Sequence, residues 1–243
     1  MERTMKMMSA LMVVGALAAC DSGNVTGPTI VAPGPGGDPG PGPDAVNGVD
    51  IQGSGILATE SRDVAGFSRV RLDGVGHLIV EQGGAEALMV TADDNILALV
   101  TAEVHGDELR LGTEPGATWA SPNMIVFTLT VADIEALAVF GAAAAEIRRL
   151  DADRIAVRIE GAATVTAAGR ADEQDVVLRG VATYNARDLQ SRAVEIDVAG
   201  VSRATVRVRE RLEGRVEGQS TLEYIGHPAV DVTGGGAVQH IDG

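Results

Sequence analysis

The fold is indicated most clearly by residues 176–200, which read VVLRGVATYNARDLQSRAVEIDVAG. Two glycines in this stretch, Gly180 and Gly200, each follow a run of alternating aliphatic residues. The pattern recurs through residues 137–243 at intervals of 20, 19, 20, 18 and 16 residues. Its pivots are Gly141, Gly161, Gly180, Gly200, Gly218 and Gly234. A short repeat of nearly constant length is typical of a stacked-repeat fold.

Two columns of residues in front of the pivots are aliphatic. Of the twelve residues that stand four and two positions before a pivot, eleven are Leu, Val or Ile, and the exception is Gly214. Because alternate side chains of a strand point to opposite faces, both columns are predicted to face inward. A further inward column, four residues after the pivots, holds Ala145, Val165, Tyr184, Ala204, Leu222 and Val238.

Stacked coils of this kind predict a parallel β-solenoid with glycine corners. Equivalent residues of neighbouring coils then lie about 4.8 Å apart, where opposite charges attract and like charges repel. The outward columns place Glu160 beside Arg179. They also place Asp197, Arg215 and Asp231 in one run of alternating sign. The sequence therefore predicts a charge-paired outer surface.

Residues 131–149 allow a helical alternative, since they are rich in Ala, Leu and Glu. Gly141 in the middle of this stretch, and the agreement of Leu137 and Val139 with the inward columns, favour a strand. Upstream, the pattern is less regular, but Val70 and Leu72 precede Gly74 in the same way. Further strands are predicted near residues 77–81, 88–92, 108–111 and 125–131, with a longer loop at residues 113–123.

The first nineteen residues have the form of an export signal. Arg3 and Lys6 precede an apolar run at residues 7–19, which is too short to span a bilayer as a mature helix. The stretch Leu17-Ala18-Ala19-Cys20 resembles the lipobox of bacterial lipoproteins, which implies lipidation of Cys20. An ordinary secretory signal with a chance cysteine is the alternative. Asp21 follows directly, and in enteric bacteria this residue favours the inner membrane, so the choice of membrane stays open.

Three segments are predicted in total. Residues 1–19 form the lipoprotein signal peptide, residues 20–47 form the lipidated Cys20 and a disordered tether rich in Gly and Pro, and residues 48–243 form the parallel β-helix domain. Cys20 is the only cysteine, so no intramolecular disulfide is possible.

The sequence contains few groups that suggest catalysis or metal binding. His77, His105, His227 and His240 are the only histidines, and they lack metal-ligand spacing. No nucleophile elbow, phosphate-binding loop or dinucleotide fingerprint is present, and Gly53-Ser54-Gly55 is interpreted as flexible entry sequence. Trp119 is interpreted as a packed loop anchor rather than a sugar platform. No catalytic residue, metal site or cofactor is therefore predicted.

The formal net charge of −15 argues against a nucleic-acid partner and against electrostatic docking on anionic lipid. Membrane attachment is therefore expected to depend on a lipid at Cys20.

Several stretches resemble one known family, the putative auto-transporter adhesin, head GIN domain family of bacterial envelope proteins. They are Gly53-Ser54-Gly55, ESRDVAGFSRV at residues 60–70, TADDN at residues 91–95 and YIGHP at residues 224–228. The resemblance covers residues 51–243 and implies a right-handed parallel β-helix, often on a lipoprotein or secreted chain. The Gly-Ala-Gly-Asp-like turns of that family are replaced here by turns such as Gly141-Ala142-Ala143-Ala144, so no role for such Asp side chains is expected.

The function expected from these features is that of a non-catalytic, lipid-anchored cell-envelope protein. It would act as an adhesin or scaffold that binds a protein or surface polysaccharide along the solenoid faces, facing the periplasm or the cell surface. One alternative is a polysaccharide-active β-helix enzyme, a lyase or hydrolase, which requires clustered carboxylates in a groove. Another is a structural module whose open solenoid end stacks on a second chain.

Overall fold

The computed structural model describes residues 51–242, which form fifteen β-strands and one short 3-10 helix, Leu97–Leu99. The N-terminal strands are β1 (Ile51–Gln52), β2 (Leu57–Arg62), β3 (Arg69–Gln82), β4 (Ala87–Asp93), β5 (Val100–His105), β6 (Glu108–Thr113), β7 (Trp119–Ala120) and β8 (Val126–Val131). The others are β9 (Ala136–Gly161), β10 (Thr164–Gly180), β11 (Thr183–Gly200), β12 (Arg203–Val216), β13 (Thr221–Ile225), β14 (Ala229–Thr233) and β15 (Ala237–His240). The predicted all-β fold is confirmed, and so is the strand interpretation of residues 131–149.

One large sheet contains most of these strands. Its order is β15, β13, β12, β11, β10, β9, β3, β8, β4 and β2, and β1 pairs separately with β7. Strands β3, β9, β10, β11, β12 and β13 pair in this order, and every one of these pairs is parallel. Each strand therefore lies against a strand of the next coil. By contrast, β4 is antiparallel to β2 and β8, and β5 is antiparallel to β6. The sheet is therefore mixed.

The prediction of a parallel β-helix over all of residues 48–243 is thus wrong at the N-terminal side. The physical reason is visible between β5 and β6, which are joined only by Gly106 and Asp107. A two-residue connection can join antiparallel neighbours, whereas parallel neighbours need a much longer crossover. The repeat is accordingly irregular where these hairpins occur.

The glycine corners stack as the sequence predicts. Gly180 is in register with Gly161 on one side and with Gly200 on the other, and Gly141 is in register with Gly74. All six pivots have positive φ. The corner column is therefore confirmed from Gly141 to Gly218 and extends upstream to Gly74, whereas Gly234 lies against Val216 instead of Gly218.

The core lies inside the stacked coils and consists mainly of Val, Leu and Ile. Leu178, Val198 and Tyr184 are fully buried, as their columns predict. Small side chains fill the inner side of the corners, two residues after the pivots. These are Ala143, Ala163, Ala182, Ser202 and Ser220, all buried.

The last coil departs from the predicted columns. Val230 and Val238 were expected to face inward, yet they are 43% and 38% exposed, because within residues 51–242 no further coil covers β14 and β15. The register also differs, since Glu213 pairs with Asp231 and Gly214 pairs with Val232. The predicted neighbourhood of Arg215 and Asp231 is therefore wrong. The final repeat has only 16 residues, so counting back from its glycine misplaces this strand by two.

Candidate binding surface

A groove crosses the outward side of β3 and β9, on the strand segments that precede the corners. It consists of two adjoining cavities of about 450 and 500 Å³ that share Arg69, Ala136 and Ala156. The small alanine side chains leave room between the longer charged ones, which forms the groove. We call this surface the charged groove. Its other charged lining residues are Arg71, Glu108, Asp133, Glu135, Asp153, Arg154, Arg158 and Asp175.

Most charges along the groove already have a partner within the chain. Arg154 lies 3.3 Å from Asp175, and Arg71 lies 2.8 Å from Asp73. The Arg71 guanidinium also stacks 4.2 Å from the centre of the Phe140 ring. Such exposed pairs add little stability, typically under about 1 kcal/mol each. They place side chains of both signs of charge next to one another along the groove.

The predicted charge alternation is only partly present on this side. Glu160 and Arg179 are in register, as predicted, but Arg179 forms its ion pair with Asp197 of the next coil at 2.5 Å. The hydrogen bond from Arg179 lowers the pKa of the Asp197 carboxyl below its ordinary value. The sequence columns did not reveal a register-matched ladder of four acidic residues, which are Asp175, Glu195, Glu213 and Asp231.

The sheet face that follows the corners has a different composition. Its outward side chains form two rows that run in register across β2, β4, β8, β3, β9, β10 and β11. The first row contains Thr59, Thr91, Val126, His77, Ala144, Thr164 and Thr183. The second contains Ser61, Met89, Thr128, Ile79, Glu146, Thr166 and Asn185. We call these two rows the threonine-rich face; Glu146 is their one acidic residue, and they hold no Arg or Lys.

Exposed apolar side chains border the threonine-rich face at the corners. They stand two residues before members of its first row, and three of them, Leu57, Val75 and Ala142, lie within strands, where alternation places them on the same side. They are Leu57, Val75, Met124, Ala142, Ala162 and Val181, all exposed. The residue that follows Thr183 in the first row is Arg203 of β12, which forms an ion pair with Glu223. The uncharged part of the row ends there.

A buried carboxylate fixes the N-terminal segment that carries the family resemblance. Asp93 is fully buried and accepts hydrogen bonds from Asn123 Nδ2 at 2.6 Å, Ser121 Oγ at 2.7 Å and the Gly55 amide at 3.0 Å. Asn123 contributes most to lowering the pKa of this carboxyl. Ser54 Oγ donates to Asp94 at 2.5 Å. The interpretation of residues 53–55 as flexible is therefore wrong, because this network pins them.

The histidines are distributed over three places. His77 lies on the threonine-rich face, and His105 contacts Glu103 at 2.9 Å. The rings of His227 and His240 lie 5.3 Å apart, a proximity that the sequence did not suggest because His227 follows the end of β13 and belongs to none of the columns. Within residues 51–242, no group of three or more His, Cys, Asp or Glu side chains is arranged to hold a metal ion.

Two further predicted positions are Trp119 and Cys20. Trp119 is half-buried and packs against the core, with β7 paired to β1, so the anchor interpretation is confirmed. Cys20, the predicted lipidation site, lies outside the described residues, as do the whole signal peptide and the whole tether. Among the described residues, no helix has the length and apolar character needed to cross a membrane.

The described residues form a stacked, largely parallel β-sheet domain with charged and uncharged outer faces. The chain belongs to the family described as putative auto-transporter adhesin, head GIN domain, whose model matches residues 66–228. The resemblance found in the sequence is thereby confirmed. No curated protein matches the chain.

Solved structures support the same fold. A putative adhesin from Bacteroides fragilis is 22% identical with a TM-score of 0.64, and the match covers 79% of this chain and 100% of that one. A putative adhesin from Parabacteroides merdae is 18% identical with a TM-score of 0.52, with coverage of 79% and 100%. At these identities the likeness concerns the fold alone.

Proposed function

We propose that this protein is a non-catalytic, lipid-anchored component of the bacterial cell envelope that binds a protein or surface polymer along its solenoid faces. The observation that carries the proposal is the charged groove, which presents side chains of both signs across successive strands. Membership of a family of putative adhesins is consistent with this role. The parallel coils from β9 onward are proposed to wind as a right-handed β-helix, which is the usual hand of parallel crossovers.

The groove suits an extended partner better than a small molecule. Its two cavities adjoin along neighbouring strands, so a polymer or an extended peptide segment can contact both at once. Arginine side chains such as Arg69 and Arg154 can donate to carboxylates or hydroxyls of the partner, while Asp133 and Glu135 can accept from its donors. Binding of this kind is expected to weaken as salt increases, because exposed charges are screened.

Binding can be tested with the full chain on two immobilised probes, the protein fraction and the polysaccharide fraction of the envelope. Charge reversal in Arg69→Glu and Arg154→Glu is expected to reduce retention at least fivefold on the fraction that contains the partner. Thr166→Ser, on the threonine-rich face, is the matched control and should bind normally. The proposal is contradicted if the charge-reversal variants are retained as well as Thr166→Ser. It is also contradicted if the unaltered chain is retained no better than on an albumin surface.

The membrane anchor is proposed to be a lipid on Cys20. Cells that express the full chain should incorporate labelled palmitate into it, and Cys20→Ser should abolish both the label and sedimentation with membranes. Substitution of the neighbouring Ser22→Ala should leave both unchanged. Palmitate incorporation into the Cys20→Ser chain would overturn the assignment of the anchor.

A polysaccharide-active enzyme is the second candidate, because several carboxylates line the groove. Paired carboxylates are the usual catalytic groups of glycoside hydrolases. Incubation of the full chain with the envelope polysaccharide fraction separates the two functions. New reducing ends or unsaturated products, lost in Asp133→Asn or Glu135→Gln, would establish the enzyme; their absence together with retention on the polymer supports the binding protein.

A further inference from the structure

We propose that the threonine-rich face is a self-association surface, through which two copies of this chain pair face to face. This inference is independent of the partner bound in the charged groove. It rests on the charge, chemistry, rigidity and size of the face.

The charge of the molecule favours this face for contact between copies. The chain carries a formal net charge of −15, so two copies repel each other over most orientations. On the threonine-rich face Glu146 is the one acidic residue, and Arg148 donates to its Oε2 at 2.6 Å. Two such faces can therefore approach without bringing rows of like charges together.

The hydroxyl groups make the face complementary to itself. In a two-fold pair the same surface patch lies against its own copy. Carboxylates only accept and guanidinium groups only donate, but a threonine or serine hydroxyl does both. Within one chain, Thr59 and Thr91 already show this reciprocity, with their hydroxyl oxygens 2.8 Å apart. Identical threonine rows can thus satisfy each other.

The side chains of the face also lose little freedom when they are buried. Thr, Val and Ile are restricted at χ1 by branching at Cβ, and the strands hold their backbones in register. The long side chains of the charged groove, such as Arg69 and Arg158, would lose more rotamer freedom on association. The entropic cost therefore also favours the threonine-rich face.

The size of the face is sufficient for a specific pair. Seven strands at about 4.8 Å spacing, and a width of roughly 20 Å including the apolar border, give about 680 Å² per copy. A pair would bury about 1,400 Å², which falls within the range of specific protein interfaces. The exposed border residues, Val181 at 62% exposure among them, would supply apolar area at the rim.

Cross-linking of the full chain in intact cells tests the pairing. Cys20 is the only cysteine, so a single added cysteine gives an interpretable readout, with the unaltered chain as baseline. Thr91→Cys, Ala144→Cys and Thr183→Cys place a thiol along the first row of the face. Ala138→Cys, Val177→Cys and Ala199→Cys place one at similarly half-buried positions on the side of the charged groove.

With a short bismaleimide, at least one of the three face variants is expected to give tenfold more covalent dimer than the baseline, and the groove-side variants are not. Adding Thr164→Glu to the responsive variant should reduce the dimer at least tenfold, because it brings like charges together. Thr221→Glu, beyond the uncharged rows, should not. No dimer, equal dimer from both sides, or a cross-link from a variant of the threonine-rich face to a different protein would overturn the proposal.

Discussion

Gly161 lies directly against Gly141 of the preceding coil, and a Cβ added to Gly161 would stand 2.4 Å from the Gly141 carbonyl oxygen. Gly83 has the same φ of +118°, yet a Cβ there would meet nothing within 4 Å. The two positions therefore separate the effect of backbone conformation from the effect of close coil stacking.

Gly161→Ala is expected to destabilise the domain more than Gly83→Ala. Both substitutions strain a backbone conformation that L-residues rarely adopt, but only the first forces two backbones apart. The extra cost is expected to be about 1–3 kcal/mol, the usual range for overpacking. Urea unfolding of the two variants measures the difference, and equal midpoints would mean that the corners do not pack as closely as described.

The end of the stack is expected to tolerate truncation of its valines. Val198 is fully buried, whereas Val238 is 38% exposed in the uncovered last coil. Val198→Ala should cost about 2 kcal/mol through lost burial and the cavity left behind. Val238→Ala, the same change in the same kind of strand, should cost less than about 0.5 kcal/mol. A comparable loss from both, measured by urea unfolding, would show that another surface covers the last coil.

Tyr184 belongs to a short series of hydrogen-bonded polar side chains inside the core. Its hydroxyl donates to Gln174 Oε1 at 2.7 Å, and Gln174 Nε2 donates to Ser191 Oγ at 2.6 Å. Burial raises the pKa of the Tyr184 hydroxyl, which stays protonated and available as donor. Tyr184→Phe leaves the Gln174 oxygen without this donor and is expected to cost about 1–3 kcal/mol.

A double-mutant cycle separates this hydrogen bond from packing. If the bond carries the effect, Tyr184→Phe should cost little in a Gln174→Leu background. Tyr224→Phe, on a partly exposed ring, is the control and should change the unfolding midpoint only slightly. Equal costs of Tyr184→Phe in both backgrounds would assign the effect to packing.

Low pH is expected to weaken the hydrogen bonds by which Asp93 holds the N-terminal segment. Hydrogen bonds from Asn123 and Ser121 lower the pKa of the folded-state carboxyl, while the unfolded chain keeps the ordinary value near 3.8. The stabilising contribution is therefore complete above the ordinary value and is lost as the pH falls through the lowered pKa of the folded state.

Between about pH 5 and about pH 2, the unfolding midpoint of the wild-type chain should thus fall more steeply than that of Asp93→Asn. Asp188→Asn, which alters an exposed carboxylate, should retain the wild-type slope. Parallel slopes for the wild type and Asp93→Asn would show that this carboxyl does not contribute to the acid sensitivity.

The regular half of the fold was predictable because the sequence pattern that specifies it is local. Columns such as Leu178 and Val198 repeat with the pivots, so strand alternation and stacking follow from spacing alone. The N-terminal half was less predictable, since hairpins such as β5–β6 obey turn geometry rather than the repeat. The register of β14 failed for a related reason, because the shortened last repeat moved Asp231 opposite Glu213.

The surfaces were harder to predict than the core. The charged groove depends on small residues, Ala136 and Ala156, that come together only once coils are stacked. The buried role of Asp93 depends on Ser121 and Asn123, which lie about thirty residues away along the chain. Neither has a periodic signal in the sequence. Cys20 stands apart, since its prediction rests on the export signal and not on the fold.

The two ends of the stack are unlike, with antiparallel hairpins at one and bare parallel strands at the other. The described domain therefore has a direction, and the length of its stack is set by how many coils of about twenty residues separate the two ends. Gain or loss of one whole coil, such as residues 181–200, would change the reach of both outer faces by about 4.8 Å while the hairpin end stays the same. The fold can thus vary in length without any change to the segment that starts it.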